Sequence, residues 1–243
     1  MNWHLRYLRQ AAWTRGLRDY LFDKTRLSTA ARVLEVGCGT GAVLATVATS
    51  ASLHGLDVDA GALSEARQHV PGAFFTRGDA RLLPYADHCF DTAYCHFLLL
   101  WVSDPLQALT EMKRVTKSNG YILALAEPDY GARTDRPEEL AVLGARQNES
   151  LRRQGADIRL GARLAELFFR AGITIIETGA IQGRASDQLS SEEWQGEWEV
   201  LESDLAESAA ATEIAHLKRL DEDARRRGTR VLNVPTYFAW GQV

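Results

Sequence analysis

Cysteine is scarce: Cys38, Cys89 and Cys95 are the only three in 243 residues. The set is odd and shows no CxxC or CxxH spacing, which argues against a disulfide framework and against a structural zinc site. Long apolar runs are missing too. The longest, Phe97 to Val102, is far too short to cross a bilayer. The N-terminal MNWHLRYLRQAAW carries arginines where a signal peptide needs its apolar stretch, so the expected location is the cytoplasm. Neither sign of charge dominates, with 28 Lys and Arg against 32 Asp and Glu and a net charge of -4. Without a basic surplus there is no global field to draw the protein to nucleic acid or anionic lipid. No internal repeat, low-complexity tract or Pro/Ser-rich linker interrupts the chain. His4, His54, His69, His88 and His216 are scattered, and no metal-ligand cluster is visible, so no metal is expected. With 46% hydrophobic and 25% charged residues, the composition is that of one ordinary globular domain.

What is present alternates. Short β-branched or apolar runs at 32–36, 52–58, 73–77, 90–97 and 121–126 are separated by helix-like stretches. That alternation predicts parallel strands joined by crossovers, an α/β sheet covered on both faces. Asp59 is placed to cap a helix carrying Leu63, Ala66 and Val70 and ended by Pro71. Asp104, Pro105 and Gln107 read as an N-cap, a first-turn proline and a capping-box partner, with Gly120 stopping that helix. Residues 128–170 read as a loop and two helices, followed by a strand from Ile173 to Ile181, a charged helical insertion over 186–228 and a final apolar strand. From Ala185 to Leu217 the chain holds nine acidic residues and no Lys or Arg. There Trp194, Trp198, Leu201 and Leu205 share one helix face, with Ser190 and Glu193 at capping-box spacing. The stripe is expected to dock on the domain; its functional reading is a lid.

The strongest signal is ValLeuGluValGlyCysGlyThrGlyAlaValLeu (33–44), a strand running into Gly37, Gly39 and Gly41 with a helix expected from about Gly41. Such a loop lets a ligand approach the backbone closely at the carboxyl end of the first strand. Gly37 to Ala42 also satisfies a loose GxGxxA, the dinucleotide fingerprint. Asp57, twenty residues after Gly37, suits an acid accepting ribose hydroxyls in either case. Glu35, two residues before the loop, would repel a pyrophosphate but can serve a ligand bearing an ammonium or sulfonium.

The combination of ExGxGxG, Asp57, Gly78-Asp79-Ala80, LeuPro and PheAsp resembles class I S-adenosylmethionine (SAM)-dependent methyltransferases, within the methyltransferase-domain group that includes small-molecule enzymes. The resemblance is dense over about 30–127. It implies a Rossmann-like doubly wound α/β sheet of seven strands, the last antiparallel, with helical cap insertions. The chain is then one domain, 1–243, with a core over 30–127, 159–182 and 231–243 and cap elements at 1–28, 128–158 and 186–228. It further implies that Gly37, Cys38, Gly39 and Gly41 hold the amino-acid end of SAM, supported by Glu35. Asp57 would take the ribose hydroxyls, Val58 would flank the adenine, Asp79 and Ala80 would meet its edge, and His96 would sit by the methionyl group.

Methyl transfer is an in-line displacement with a neutral leaving group, so positioning supplies much of the effect. His96 is the candidate base, on the strength of an imidazole's near-neutral pKa. Trp101, Asp129 and Tyr130 are the candidate acceptor contacts, with Glu127 in the same polar cluster. The basic N-terminal segment is expected to be a solvated charged helix packed on the core; its functional reading is that Trp3, Tyr7 and Trp13 close over SAM or the acceptor. That segment also offers a partner for the acidic stretch, within the chain or across a homodimer. No Asn/Asp-Pro-Pro-Tyr follows the fourth strand, as a base-modifying enzyme of this type would show, and no PheGlyXxxArgAsn pattern links the chain to quinone C-methylation. The expected function is methyl transfer from SAM to a small, partly apolar O-, N- or C-acceptor, with S-adenosylhomocysteine as product. An NAD(P)-dependent oxidoreductase and a non-catalytic SAM-binding protein stand as the alternatives.

Overall fold

A computed structural model describes residues 3–181, 190–206 and 209–243. Its strands are β1 (Arg32–Val36), β2 (Ser52–Asp57), β3 (Phe74–Arg77), β4 (Phe90–Cys95), β5 (Thr116–Pro128), β6 (Thr134–Arg136), β7 (Thr174–Ile181), β8 (Val231–Asn233) and β9 (Thr236–Gln242). Its helices are α1 (Trp3–Trp13), α2 (Arg15–Lys24), α3 (Ala60–His69), α4 (Pro105–Val115), α5 (Ala141–Arg153), α6 (Leu160–Arg170), α7 (Ser191–Leu205) and α8 (Ala211–Arg226). Seven strands form one sheet in the order β3-β2-β1-β4-β5-β9-β7. The first five run parallel, and β9 inserts antiparallel to both β5 and β7. Central strands are buried on both faces, as parallel sheets are. Leu34, Val36, Ala93 and Ile122 pack under α4 and α6. Val33, Tyr94, Leu123 and Leu125 face Leu21 and Leu27.

Caps act where the sequence places them. Asp59 accepts the N–H of Gly61 at 2.7 Å and of Ala62 at 3.2 Å, and Asp104 accepts that of Gln107 at 3.0 Å. The Gln107 amide does not reach back to close a box; it donates to the Arg81 carbonyl. Both halves of the Ser190–Glu193 box form.

Three expectations are corrected. No α-helix follows the glycine loop; a single 3-10 turn, Leu44–Thr46, stands there. The stretch between β1 and β2 is short and rich in β-branched Val43, Thr46, Val47 and Thr49, which disfavour helix. Helix α4 ends at Val115 rather than at Gly120, because the carbonyls of Arg114 and Val115 are already taken by the N–H groups of His88 and Cys89. Gly120 lies inside β5, where a Cβ would stand 2.7 Å from the Asp91 carbonyl oxygen. Outside the 186–228 insertion, β6 within the expected loop and β8 within the expected final strand region pair as a two-stranded antiparallel ribbon that the periodicity does not reveal.

The α7 stripe does not pack on the main sheet. Trp198 and Leu205 are buried with Leu140, Leu143, Leu217 and Ala224 in a satellite core formed by the insertions themselves. Of the expected segments, 1–2, 182, 186–189 and 207–208 lie outside the described residues. Among the described residues, no helix is long and apolar enough to cross a membrane.

Candidate active site

The carboxyl ends of β1, β2, β4 and β5 converge on the glycine loop. Gly37, Gly39 and Gly41 all have positive φ (+72°, +50° and +79°), which side-chain-bearing residues rarely adopt. Gly37 and Cys38 donate to the Leu56 carbonyl at 2.7 and 3.0 Å, which ties the loop to the end of β2. A Cβ on Gly37 would fall 2.5 Å from Leu98 Cδ1, so the loop and the segment after β4 are fitted to each other.

A cavity of about 310 Å³ opens above the loop. Its inner end is formed by Glu35, Gly37, Cys38, Gly39, Asp57 and His96. A second hollow of about 260 Å³ shares Gly37, Asp57, Leu98 and Trp101 with it and continues to Val58, Gly78, Asp79 and Ala80. Asp57 thus borders both. Its Oδ2 accepts the Gly39 N–H at 2.7 Å and its Oδ1 that of Asp59 at 2.9 Å.

Glu35 is 2% exposed. Burial pushes its carboxyl up to about 8, against the opposing effects of the Tyr94 hydroxyl, which donates to it at 3.1 Å, and of the Arg18 charge. A buried carboxyl that has lost water and gained no ion pair among the described residues is a natural seat for a cation. Asp79 is held differently: Arg81 pairs with it at 2.6 Å and also donates its backbone N–H, which lowers its pKa.

His96 borders the cavity, with Nε2 at 2.9 Å from Thr14 Oγ1. Burial, reinforced by Arg18, pushes its imidazole down to about 3, so the near-neutral proton affinity of a free imidazole is lost. Trp101 and Tyr130 line the cavity. Asp129 does not belong to that lining: it is buried, and its carboxylate caps a turn by accepting the Ala132 N–H. Glu127 is also internal; its carboxylate accepts the N–H groups of Leu98, Leu99 and Leu100.

Helix α1 covers the loop. Trp3 and Tyr7 line the cavity, and a Cβ on Gly39 would lie 3.4 Å from the Tyr7 ring. Trp13 turns instead against Phe97, 6.2 Å between centroids. Arg9 pairs with Glu192 at 2.9 Å, so the basic segment and the acidic insertion meet within this chain.

Residue-by-residue reading overlooks the outer wall. Gln147 and Leu151 of α5 and Gln154 at its C-cap line the cavity, and Val200 and Asp204 line it from α7. Their spacings, i, i+4, i+7 and i, i+4, are the helical-face signal that could have marked them. His4 and His69, scattered in sequence, stack 3.6 Å apart at Thr40.

Residues 34–124 match the model of the family described as the methyltransferase domain. A 37.1 kDa transposon protein of Streptomyces fradiae is 31% identical over 182 residues, covering 70% of this chain and 52% of the relative. The demethylmenaquinone methyltransferase of Renibacterium salmoninarum is 35% identical over 121 residues, 49% of this chain and 51% of the relative. The chain therefore spans about half the length of the curated relatives it matches. Among solved structures, phosphoethanolamine N-methyltransferase 2 of Haemonchus contortus, in complex with phosphomonomethylethanolamine and S-adenosylhomocysteine, superposes with a TM-score of 0.60 at 15% identity, over 97% of this chain and 57% of that one. Sheet order, glycine loop and family match agree: this chain carries the methyltransferase domain of the class I SAM-dependent methyltransferases.

Proposed function

We propose that the protein binds SAM across the two joined hollows and transfers its methyl group to a small, partly apolar acceptor, releasing S-adenosylhomocysteine. The observation that carries this reading is the pair of acidic side chains flanking the glycine loop: Glu35, buried and without an ion pair among the described residues, and Asp57, bordering both hollows. A sulfonium ligand with an ammonium at one end and a ribose in its middle answers both. A dinucleotide offers a ribose to Asp57 but does not suit Glu35. Its pyrophosphate would face Glu35, and the phosphate-binding helix N-terminus is replaced by one 3-10 turn.

In this reading Gly37, Cys38, Gly39 and Gly41 hold the amino-acid end, Glu35 its ammonium, and Arg6 and Gln10 of α1 supply donors for its carboxylate. Asp57 exchanges the Gly39 N–H for ribose hydroxyls. Val58 and Ala80 line the adenine hollow, where Asp79 presents its edge. When bound, SAM supplies an electrophilic methyl on a positively charged sulfur. The protein's part is to align a nucleophile with that methyl and exclude water, and well-oriented pairs gain about 7–11 kcal/mol. Trp101 and Tyr130, with Phe97, Leu100 and Leu151, give the acceptor side its apolar walls. The insertions and α1 act as its cap within one domain.

A thermal-shift comparison of SAM, S-adenosylhomocysteine, NAD and NADP tests this. A ligand at one hundred times its Kd adds about 2.7 kcal/mol, a rise of about 5–10 °C for a chain of this size. A rise with SAM and its product alone is expected; a rise with NAD or NADP instead overturns the reading.

A further inference from the structure

We propose that Asp204 is a specificity-determining residue for the methyl acceptor: it anchors a protonated amino or quaternary ammonium group of that molecule, away from the atom that is methylated. The inference deepens the methyltransferase reading above and rests on it.

Asp204 lines the cavity from α7 and is partly buried. Its hydrogen bonds all run inward. Gln147 Nε2 donates to Oδ2 at 3.1 Å, while Gln154 Nε2 and Ser150 Oγ donate to Oδ1 at 3.1 and 3.4 Å. The polarity of Gln147 is forced. Its Oε1 meets Nη1 of Arg133, and a guanidinium has donors only, so the amide NH2 must turn to Asp204. Arg133 itself is buried and paired with Asp135. All three donors to Asp204 are neutral, and no ion pair neutralises it among the described residues.

A carboxylate held at both oxygens by fixed donors is organised in advance to meet a cation. It is poorly set to take a proton, because each of the three bonds weakens once the carboxyl is neutral. Its place argues the same way. Asp204 belongs to the outer wall, supplied by the insertions, whereas the residues assigned to SAM stand at the inner end, on the glycine loop and the strand ends. The anchored group is therefore separate from the reacting atom, whatever nucleophile the acceptor presents.

Charge balance in the cavity supports the anchor. Among the described residues its lining carries Glu35, Asp57 and Asp204 against one guanidinium, that of Arg6. Bound as proposed, SAM offers its ammonium to Glu35 and its carboxylate to Arg6, and its sulfonium balances one further acid. One negative charge remains. A neutral acceptor would cover Asp204 and leave it uncompensated, an anionic one would add a second charge, and a monocation closes the balance. Trp101, Tyr130 and Phe97 line the same space, and aromatic ring faces attract cations.

The test uses the full chain saturated with S-adenosylhomocysteine. Calorimetry compares choline and tyramine with their uncharged carbon isosteres and with carboxylates of matched size. The cation of each pair is expected to bind about tenfold tighter or better, an advantage lost in Asp204→Asn and kept in Asp204→Glu, with S-adenosylhomocysteine affinity unchanged. The comparison on the parent chain stands even where a variant fails to fold. Methyl-labelled SAM is then turned over with the same panel widened to other amines, alcohols and phenols. Cationic acceptors are expected to show the higher kcat/KM, and Asp204→Asn to raise KM at unchanged kcat. No advantage of cations over their isosteres overturns the proposal. So does a fall in kcat at unchanged KM, which would mark Asp204 as a general base. A protein that binds neither SAM nor S-adenosylhomocysteine overturns the parent reading instead.

Discussion

The carboxylate of Glu127, near the end of β5, accepts the backbone N–H of Leu99 at 3.0 Å across the mouth of the sheet. The same carboxylate takes the N–H groups of Leu98 and Leu100, so one buried side chain ties the whole segment after β4 into place. Leu98 in turn covers Gly37, and Trp101 follows as a wall of both hollows. Glu127→Ala strands three buried donors, each worth about 1–3 kcal/mol when left unpaired. A loss of at least about 3 kcal/mol in denaturant unfolding is expected, together with weaker SAM binding. Glu127→Gln keeps an oxygen for Leu98 and Leu99 and should cost far less. Equal stability of the alanine variant and the parent would refute the strut.

Cofactor affinity should depend on pH through Glu35. Its carboxyl titrates at about 8 in the ligand-free fold because burial penalises the charged form. A cationic ammonium beside it favours ionisation, so binding drives a proton off. SAM affinity therefore rises as pH climbs toward 8 and levels off above it. Calorimetry in buffers of different ionisation enthalpy reads the released proton. Stability of the free protein moves the other way. A folded pKa above the unfolded value stabilises below about 4.5, and that contribution is lost as pH rises through 8. Glu35→Gln should thus raise the ligand-free Tm at pH 8 while removing the pH dependence of binding. A Glu35→Gln variant that binds SAM with the parent's pH profile excludes the ammonium role.

Docking of α1 should weaken in acid. His4 Nδ1 meets Thr40 Oγ1 at 2.8 Å, His69 Nδ1 donates to the Thr40 carbonyl at 3.0 Å, and the two rings stack. Burial, then the neighbouring His69, lowers the His4 pKa, with Glu65 opposing. The docked state binds fewer protons than the undocked one, so its stability falls as pH drops below about 6.5. Protection factors across 3–13, taken relative to the intrinsic exchange rate at each pH, should fall between pH 7 and 5.5 in the parent and change less in His4→Gln. Equal protection factors at both pH values would show that the stack does not fasten the helix.

The sheet was legible in the sequence because period, caps and glycines act locally. The β1 run over 32–36, the Asp59 and Asp104 caps and the Ser190–Glu193 box are short-range events that neighbouring residues decide. The glycine-loop pattern predicts a helix after Gly41, but β-branched residues and a short connection allow only one turn there. Long-range pairings were not legible. Nothing local marks Thr14 as the partner of His96, His4 as that of His69, or Glu127 as the anchor of the Leu98–Leu100 backbone. Asp129 looked like a site residue for the same reason: a carboxylate after a strand end can face a ligand or cap a turn, and only packing separates the two.

The insertions should fold and fail as a unit, because buried charges join them. Arg230 Nη2 donates to Asp135 at 2.8 Å and Arg230 Nε to Asp221 at 2.5 Å, while Arg133 holds the other oxygen of Asp135 at 2.7 Å. All four side chains are less than 10% exposed. Asp221 also accepts both indole N–H groups of Trp194 and Trp198, and Arg133 reaches the Gln147 amide that orients toward Asp204. Two arginines and two aspartates balance, so the cluster is stable only while complete. Arg230→Met leaves two carboxylates facing one guanidinium, and breaking a buried pair in this way costs about 3–5 kcal/mol. The loss should stay in the satellite core, which packs through its own residues rather than through the main sheet. Hydrogen exchange is therefore expected to accelerate across α5, α7 and α8 while β1, β4 and β5 keep their protection. SAM, which we propose binds at the glycine loop rather than in the satellite core, should still raise Tm. Uniform loss of protection over both regions would show instead that cap and sheet unfold as one body.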